Sequence, residues 1–298
     1  MLQVTEAILV VNTRARRGDD LFEETRNTLA ANGVSVSEAW GFRDHTKVLS
    51  KISEAIARDV PLVIVGGGDG TLSGAARLFV GSKSVLGVMP LGTGNMFARD
   101  LGIEPNINAA CKVLALGRAA SVDIGIAGKS SFLNIATIGL TTLIAQDLVL
   151  ADKHRLGNVA YGFAIARAML QVRPFRVTLT MPEGKKSFNA LQVVIGNGRF
   201  HAGPFPVGPK ATIIDGKLTA YVVATTKLWG LVRYALSLPG GRQSNLEEVH
   251  TFTTTQIKLE TTPSRRITVD GEVLFRTPLT FSVSPGALRV MVPEAFGA

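Results

Sequence analysis

Two glycine-rich turns, each directly after a short apolar run, constrain the fold of this chain more than any other feature. Residues 62–65 lead into residues 66–71, GGGDGT, and residues 85–89 lead into residues 90–95, PLGTGN. Glycine lets backbone N–H groups approach a ligand closely, and a helix that begins after the turn adds a partial positive charge. Two such turns at the ends of neighbouring strands predict a phosphate-binding cradle, suited to a nucleotide.

The order of strand and helix signals predicts two domains. Apolar strands separated by amphipathic helices fill the first third of the chain and are typical of a parallel sheet, whose ligands bind at the carboxyl ends of the strands. After about Ser121 the pattern changes. Helical stretches near 143–150 and 159–172 precede a long β-rich region, which one helix candidate at 228–238 interrupts. We therefore predict an α/β domain at 1–121 and a mostly antiparallel β-sandwich or barrel at 122–285 that touch along a cleft.

Composition narrows the class of protein. No apolar run among the 298 residues reaches transmembrane length, and the single cysteine, Cys111, excludes an internal disulfide and a cysteine-built metal site. The formal net charge of +9 favours phosphate-rich partners. Aromatic residues are 6% of the chain and do not interleave with the basic clusters, which argues against nucleic acid. These features predict a cytosolic protein, and the basic, apolar composition favours the inner face of a membrane.

Side chains in and near the two turns have candidate roles. A carboxylate in a phosphate-binding turn repels its ligand unless a cation lies between them, so Asp69 predicts a Mg²⁺ contact, and Thr71 can donate its hydroxyl to a phosphate. The basic loop 12–18 lies at the same predicted sheet edge and either binds phosphate or is solvated. Asp123 is a charge in an apolar strand, which needs a partner or a metal.

Two later Asp-Gly pairs have two interpretations each. Asp270-Gly271-Glu272 is typical of a hairpin turn, yet its two carboxylates also form a compact acid/base pair. Asp215-Gly216 is either a hairpin turn or part of a metal site. Spacing alone does not decide between these alternatives.

The order of seven short motifs resembles the diacylglycerol kinase catalytic-domain family, which includes sphingosine kinases and bacterial lipid kinases. The resemblance covers nearly the whole chain. The motifs are GGDGT at 67–71, PLGTGN at 90–95, VDIG at 122–125, FLN at 132–134, GNG at 196–198, DGKL at 215–218 and DGE at 270–272.

The resemblance implies an N-terminal nucleotide-binding domain related to NAD kinases and phosphofructokinases, and a C-terminal β-sandwich whose last segment, 286–298, returns to the first domain. It implies that Asp69 and Asp123 organise the catalytic Mg²⁺, and that Asp270 and Glu272 activate a lipid hydroxyl, with Glu272 as proton acceptor. The implied ATP-binding residues are Asn12, Thr13, Arg14, Ala15, Arg16, Thr46, Gly67, Gly68, Asp69, Gly70, Thr71, Leu72, Ser73, Thr93 and Asn95. The implied structural Mg²⁺ site uses Thr212, Asp215 and Lys217.

The activity expected from this resemblance is phosphoryl transfer from ATP to a lipid hydroxyl. Diacylglycerol, phosphatidylglycerol, a monoacylglycerol and a sphingoid base all remain open as substrates. We expect peripheral contact with the membrane, with residues 228–238, Arg233 and Arg242 as one docking candidate, and leave a homodimer open. The alternatives are a soluble NAD kinase-like enzyme, which shares the first glycine turn, and a non-catalytic nucleotide sensor on the same fold.

Overall fold

The structure, a computed structural model, describes residues 6–15, 17–143, 171–202, 205–206, 211–225, 228–237 and 245–297. The chain forms two compact units. The first contains Met1–Ile124, Thr212–Gly216 and Ser284–Ala298, and the second contains Gly125–Ala211 and Lys217–Val283. The predicted boundaries place the segment Thr212–Gly216 in the second domain. In the structure this segment belongs to the first unit.

The first unit is built on a parallel sheet with helices between its strands. Its elements are β1 (Ala7–Asn12), α1 (Gly18–Ala31), β2 (Val36–Phe42), α2 (His45–Ala57), β3 (Leu62–Gly67), α3 (Asp69–Phe79), β4 (Val85–Pro90), α4 (Met96–Asp100) and α5 (Ile107–Leu116), with parts of β5 (Arg118–Ala127) and β18 (Leu279–Val292). The strand order is β2-β1-β3-β4-β18, and each neighbouring pair is parallel. The predicted α/β domain is confirmed.

The buried central strands explain why the sequence pattern was readable. Every residue of β3 and β4 is buried, and so is all of β1 except Asn12. A strand covered on both faces is a continuous apolar run, which is what a parallel sheet between helices requires. Because β1, β3 and β4 are parallel, Asn12, Gly67 and Pro90 end at the same edge of the sheet. This edge carries both glycine turns.

The second unit is an antiparallel β-sandwich, as predicted. Its remaining elements are β6 (Ser130–Phe132), β7 (Ile135–Gly139), β8 (Phe175–Met181), β9 (Gly184–Ala190), β10 (Gln192–Gly196), β11 (Phe200–Ala202), β12 (Phe205–Pro206), β13 (Leu218–Val223), α6 (Leu228–Ser237), β14 (Val249–Thr254), β15 (Gln256–Thr262), β16 (Arg266–Val269) and β17 (Glu272–Arg276). One sheet has the order β14-β13-β10-β7-β16-β17, and the other includes β18-β15-β8-β9.

One apolar core joins the two sheets of the second unit. Ile138, Val193 and Ile267 of the first sheet and Val177 and Leu259 of the second are completely buried in the same cluster. Burial alternates along β8, as it does when one face of a strand meets the core and the other meets solvent. This core fixes the register of β7 and β16, so that Asn134 directly precedes β7 and Asp270 directly follows β16.

Candidate functional site

The two glycine turns lie in direct contact within the first unit. A Cβ atom built on Gly92 would lie 2.5 Å from the Cα of Gly68, and Leu91 donates its N–H to the carbonyl oxygen of Gly67 at 3.0 Å. A side chain at Gly92 would therefore collide with the backbone of the first turn. The structure brings the two turns together, and glycine is what permits the approach.

Asp69, the first residue of α3, connects the two turns. Its Oδ1 accepts the N–H of Met96, the first residue of α4, at 2.6 Å. The N–H groups at a helix start have no partner within the helix, so a carboxylate from another segment caps α4 here. The sequence did not predict this capping role. It adds to the Mg²⁺ contact predicted for Asp69, because a carboxylate oxygen accepts more than one interaction.

Asn95 shapes the second turn from within. Its Oδ1 accepts the N–H of Gly92 at 3.0 Å, and its Nδ2 donates to the Gly92 carbonyl oxygen at 2.8 Å. The residue is buried and has the left-handed backbone conformation, with φ of 50°. Both polar atoms of the Asn95 side chain are thus hydrogen-bonded within the turn. The sequence predicts a contact between Asn95 and the nucleotide, and that contact stays a prediction.

Asn12 links the end of β1 to the first glycine turn. Its Nδ2 donates to Oγ1 of Thr71 at 2.9 Å, and its Oδ1 accepts the N–H of Arg14 at 3.1 Å. Because the Thr71 oxygen accepts this hydrogen bond, its own proton is left to donate to another group. This geometry agrees with the phosphate contact predicted for Thr71.

The other predicted nucleotide-binding residues of the first unit divide by exposure. Arg14, Ala15, Thr46, Gly70 and Thr93 are exposed at the surface, whereas Thr13, Leu72 and Ser73 are buried. Contact of these residues with the nucleotide stays a prediction. Arg16 lies outside the described residues.

Asp123 holds three segments of the first unit together. Its Oδ1 accepts the N–H of Gly286 at 2.9 Å, its Oδ2 accepts the N–H of Gly216 at 2.7 Å, and its own N–H donates to the Ile213 carbonyl oxygen at 2.7 Å. The side chain is 4% exposed. The buried charge predicted from the apolar strand therefore has backbone partners, and a role in binding Mg²⁺ stays a prediction.

The predicted structural metal segment supplies few ligands of its own. Asp215 accepts the N–H of Thr212 through Oδ2 at 3.3 Å, which closes a short turn. Among the described residues, no group of three or more His, Cys, Asp or Glu side chains is placed to hold a metal ion. Thr212, Asp215 and Lys217 contribute one carboxylate between them. This donor set does not fit a cage of side chains, so a cation there would depend on backbone carbonyl oxygens.

Asp270 anchors a hairpin of the second unit to a neighbouring segment. Its carboxylate accepts the N–H groups of Leu133 at 2.8 Å and of Asn134 and Ile135 at 3.0 Å each. The backbone φ angles of Asp270 and Gly271 are 45° and 90°, as a two-residue hairpin loop of type I′ requires. The hairpin interpretation is thus realised, and the Asp270 carboxylate is committed to backbone N–H groups.

Glu272 follows that turn as the first residue of β17. It is exposed, and its cross-strand partner is Val269. Its carboxylate makes no hydrogen bond or ion pair within the part of the chain that the structure describes. Of the two predicted catalytic carboxylates in this hairpin, Glu272 is therefore the one that no backbone N–H group occupies, and its role as proton acceptor stays a prediction.

Asn134 is a polar residue whose importance sequence reasoning missed. Its N–H donates to Asp270, and its carbonyl oxygen accepts the N–H of Asn197 at 2.9 Å. The side chain is completely buried, and neither of its polar atoms meets a partner among the described residues. Buried amides without partners are rare, and a buried water could complete the hydrogen bonds of Asn134. The FLN and GNG motifs were its signal in the sequence.

We expect Gly92→Ala to lower the free energy of unfolding by about 1–3 kcal/mol, the usual cost of overpacking, because the added methyl group meets the Gly68 backbone. The affinity for ATP is expected to fall with it. Gly70→Ala is the matched control, since a Cβ there meets nothing within 4 Å. Thermal unfolding of both variants tests this, and equal stability of the two would contradict the close contact between the turns.

Burial raises the pKa of the Cys111 thiol to about 11, so the cysteine is protonated at neutral pH and packs as a small apolar side chain. In the described part of the chain, none of the helices has the length and apolar character needed to cross a membrane.

Two family models match the two parts of this chain. The diacylglycerol kinase catalytic domain matches residues 6–127, and the YegS C-terminal NAD kinase beta sandwich-like domain matches residues 136–292. Similar solved structures include a diacylglycerol kinase from Bacillus anthracis str. Sterne, at a TM-score of 0.80, with 24% identity and 99% of each chain covered. That likeness concerns the fold.

Curated relatives agree with the family models along almost the whole chain. A "Probable lipid kinase YegS-like" protein of Klebsiella pneumoniae (strain 342) is 31% identical over 294 residues, which cover 96% of each chain. A protein of the same name from Pseudomonas aeruginosa (strain UCBPP-PA14) is 30% identical over 278 residues, which cover 91% of this chain and 90% of that one. This chain belongs to the diacylglycerol kinase catalytic-domain family.

Proposed function

We propose that this protein is a lipid kinase that transfers the γ-phosphoryl group of ATP to a lipid hydroxyl. The observation that carries the proposal is the contact between the two glycine turns, with Asp69 capping α4 from the start of α3. We place the phosphate oxygens of ATP at backbone N–H groups of these adjoining turns, as in other anion sites at helix starts. Phosphoryl transfer depends on this positioning and on neutralising phosphate charge more than on covalent chemistry.

Magnesium is part of the proposal, and Asp69 would hold it. Mg²⁺ is commonly bound by one or two carboxylates together with the phosphates of the nucleotide, so a single protein carboxylate beside the phosphate turn fits this role. When bound, the ion would supply neutralisation of phosphate charge. Thr71 would donate its hydroxyl proton to a phosphate oxygen, while Asn12 keeps the Thr71 oxygen in place.

Glu272 would be the general base for the acceptor hydroxyl. An alcohol is a weak nucleophile while it keeps its proton, and an exposed carboxylate can accept that proton as the oxygen attacks phosphorus. Asp270 would act as a positioning residue, because its bonds to residues 133–135 hold the hairpin that carries Glu272.

Incubation of the purified protein with γ-labelled ATP and a total lipid extract tests this function. We expect label in one lipid class, and identifying that product separates diacylglycerol, phosphatidylglycerol, monoacylglycerol and sphingoid bases. Parallel incubation with NAD tests the soluble alternative. Label in NADP without labelled lipid would overturn the lipid-kinase assignment, and ATP binding without turnover on any acceptor would favour a nucleotide sensor.

Helix α6 is our candidate for peripheral contact with the membrane. Tyr234 of this helix is buried, and its hydroxyl is hydrogen-bonded to that of Tyr221 in β13 at 2.6 Å. Trp229 is 69% exposed, and a spacing of five residues places it about 140° around the helix from Tyr234. Tryptophan is favoured at membrane interfaces. Arg233 is paired with Glu248 at 3.3 Å, and Arg242 lies outside the described residues.

We expect Trp229→Ala to weaken binding to lipid vesicles by about tenfold. Tryptophan covers about 150–250 Å² of surface, and burying part of it at about 25 cal/mol per Å² exceeds the 1.4 kcal/mol that corresponds to a tenfold change. Co-sedimentation with vesicles measures this. Trp40→Ala, which removes the other tryptophan at an exposed position in the first unit, is the control. Equal binding of the two variants would argue against docking through α6.

A further inference from the structure

Four arginines surround a cavity in the second unit, away from the hairpin turn. The cavity has a volume of about 270 Å³ and lies where β7 ends, β8 begins and the β16–β17 hairpin is open. Its walls include Gly139, Thr142 and Phe175. The cationic lining, called the arginine pocket below, consists of Arg173, Arg265, Arg266 and Arg276.

The arginine pocket is separate from the candidate acceptor site. Arg266 is the first residue of β16, and Asp270 directly follows the last. Four residues of strand at about 3.3 Å each put these ends about 13 Å apart. A ligand in the pocket would therefore not occupy the position of the hydroxyl that Glu272 deprotonates.

Positive charge in the pocket is not balanced by carboxylates. No Asp or Glu side chain lines the cavity, and none of the four arginines forms an ion pair with a carboxylate within the described ranges. Like charges around one cavity repel each other, so an anion placed between them is stabilised by all four.

Arg265 and Arg276 are held by backbone contacts that leave donors for a ligand. Arg265 donates from Nη2 to the Arg173 carbonyl oxygen at 3.3 Å, and its guanidinium lies 5.1 Å from the centre of the Phe175 ring. Its buried Nε meets no partner among the described residues. Arg276 donates to the Ser264 carbonyl oxygen at 3.2 Å. Each guanidinium has five N–H donors, so several remain for an anion.

We propose that the arginine pocket binds a phosphate group. Arginine binds phosphate through pairs of parallel N–H···O bonds, and several arginines around a small cavity are suited to its oxygens. The volume is below the roughly 300–1,000 Å³ of sites for drug-sized ligands, which favours a headgroup or small phosphate ester over a nucleotide. The phosphate belongs either to an anionic lipid headgroup or to a free phosphate compound.

Binding measurements on the full-length protein test this proposal. Isothermal titration uses glycerol 1-phosphate, and co-sedimentation uses phosphatidylcholine vesicles with or without phosphatidylglycerol. Arg266→Gln/Arg276→Gln is expected to weaken binding of at least one probe by about tenfold or more, because two charge-assisted donors are lost. Both side chains are exposed, so the fold should be retained. Arg265→Gln should have a similar effect and reports on the buried Nε.

The matched control is Arg176→Gln/Lys185→Gln, which removes two exposed positive charges of the same unit outside the pocket. Loss of vesicle binding alone identifies a lipid headgroup, and loss of glycerol 1-phosphate binding alone identifies a free phosphate compound. Loss of binding to both probes supports phosphate binding in the arginine pocket, with the phosphate supplied by either a lipid headgroup or a free compound. The proposal is overturned if the pocket variants, folded as judged by thermal unfolding, bind both probes as tightly as the control.

Discussion

Replacing Glu272 with glutamine is expected to lower kcat for lipid phosphorylation by about 10²–10⁴-fold, the usual contribution of a general base. The substitution keeps the shape of the side chain and removes its ability to accept the proton of the acceptor hydroxyl. Glu272 is exposed and makes no ion pair in the described structure, so the free energy of unfolding should change by no more than about 0.5 kcal/mol.

Steady-state kinetics with the lipid identified by labelling measure this effect, and thermal unfolding checks the fold. Glu260→Gln is the control, since this carboxylate belongs to the same unit but lies on β15, where it pairs with Lys258 at 3.1 Å. The affinity of Glu272→Gln for ATP should match that of the unsubstituted protein. Turnover within a factor of about two of the control would remove Glu272 from the mechanism.

Asp270→Asn is expected to lower the free energy of unfolding by about 1.5–3 kcal/mol, the range for hydrogen bonds to charged groups. The asparagine keeps one oxygen for residues 134 and 135 but turns an NH₂ group toward the N–H of Leu133, where Asp270 now accepts at 2.8 Å. Turnover should also fall, because Glu272 lies two residues further along the same hairpin.

Asp59→Asn is the control for the lost hydrogen bonds of Asp270. Asp59 has a similar backbone conformation, with φ of 53°, but lies exposed at the surface. Its stability should stay within about 0.5 kcal/mol of the unsubstituted protein. In a unit of about 150 residues, 1 kcal/mol shifts Tm by about 2–4 °C, so thermal unfolding resolves the two variants. Identical Tm values would mean that the three bonds to residues 133–135 contribute little.

The strands that sequence reasoning predicts well are those with a single consistent pattern. β3 and β4 are buried on both faces, so their apolar runs are continuous. In contrast, the sequence of β9 shows a pair of lysines and not a strand pattern. Lys185 and Lys186 are exposed there because β9 is an edge strand, where lysine is favoured. The pattern of residues 251–259 predicts a single strand. In the structure these residues form the last part of β14 and the first part of β15, and the two strands belong to different sheets.

Local motifs predict the candidate site only in part. The glycine turns are predictable because their chemistry lies within a few consecutive residues. The capping of α4 by Asp69 and the bonds from Asp270 to residues 133–135 join segments that are 27 and up to 137 residues apart. From the sequence alone, a carboxylate that accepts hydrogen bonds from a distant backbone segment cannot be told apart from one that binds a ligand.

The order in which the ribosome releases the chain bears on how the first unit folds. Arg289 donates to the Lys83 carbonyl oxygen across 206 residues, and Asp123 accepts the N–H of Gly286. The parallel sheet of the first unit thus gains its fifth strand, β18, only after the β-sandwich has been synthesised. Vectorial folding of the amino-terminal third alone would leave β4 as an open edge, exposed to pairing with other nascent chains.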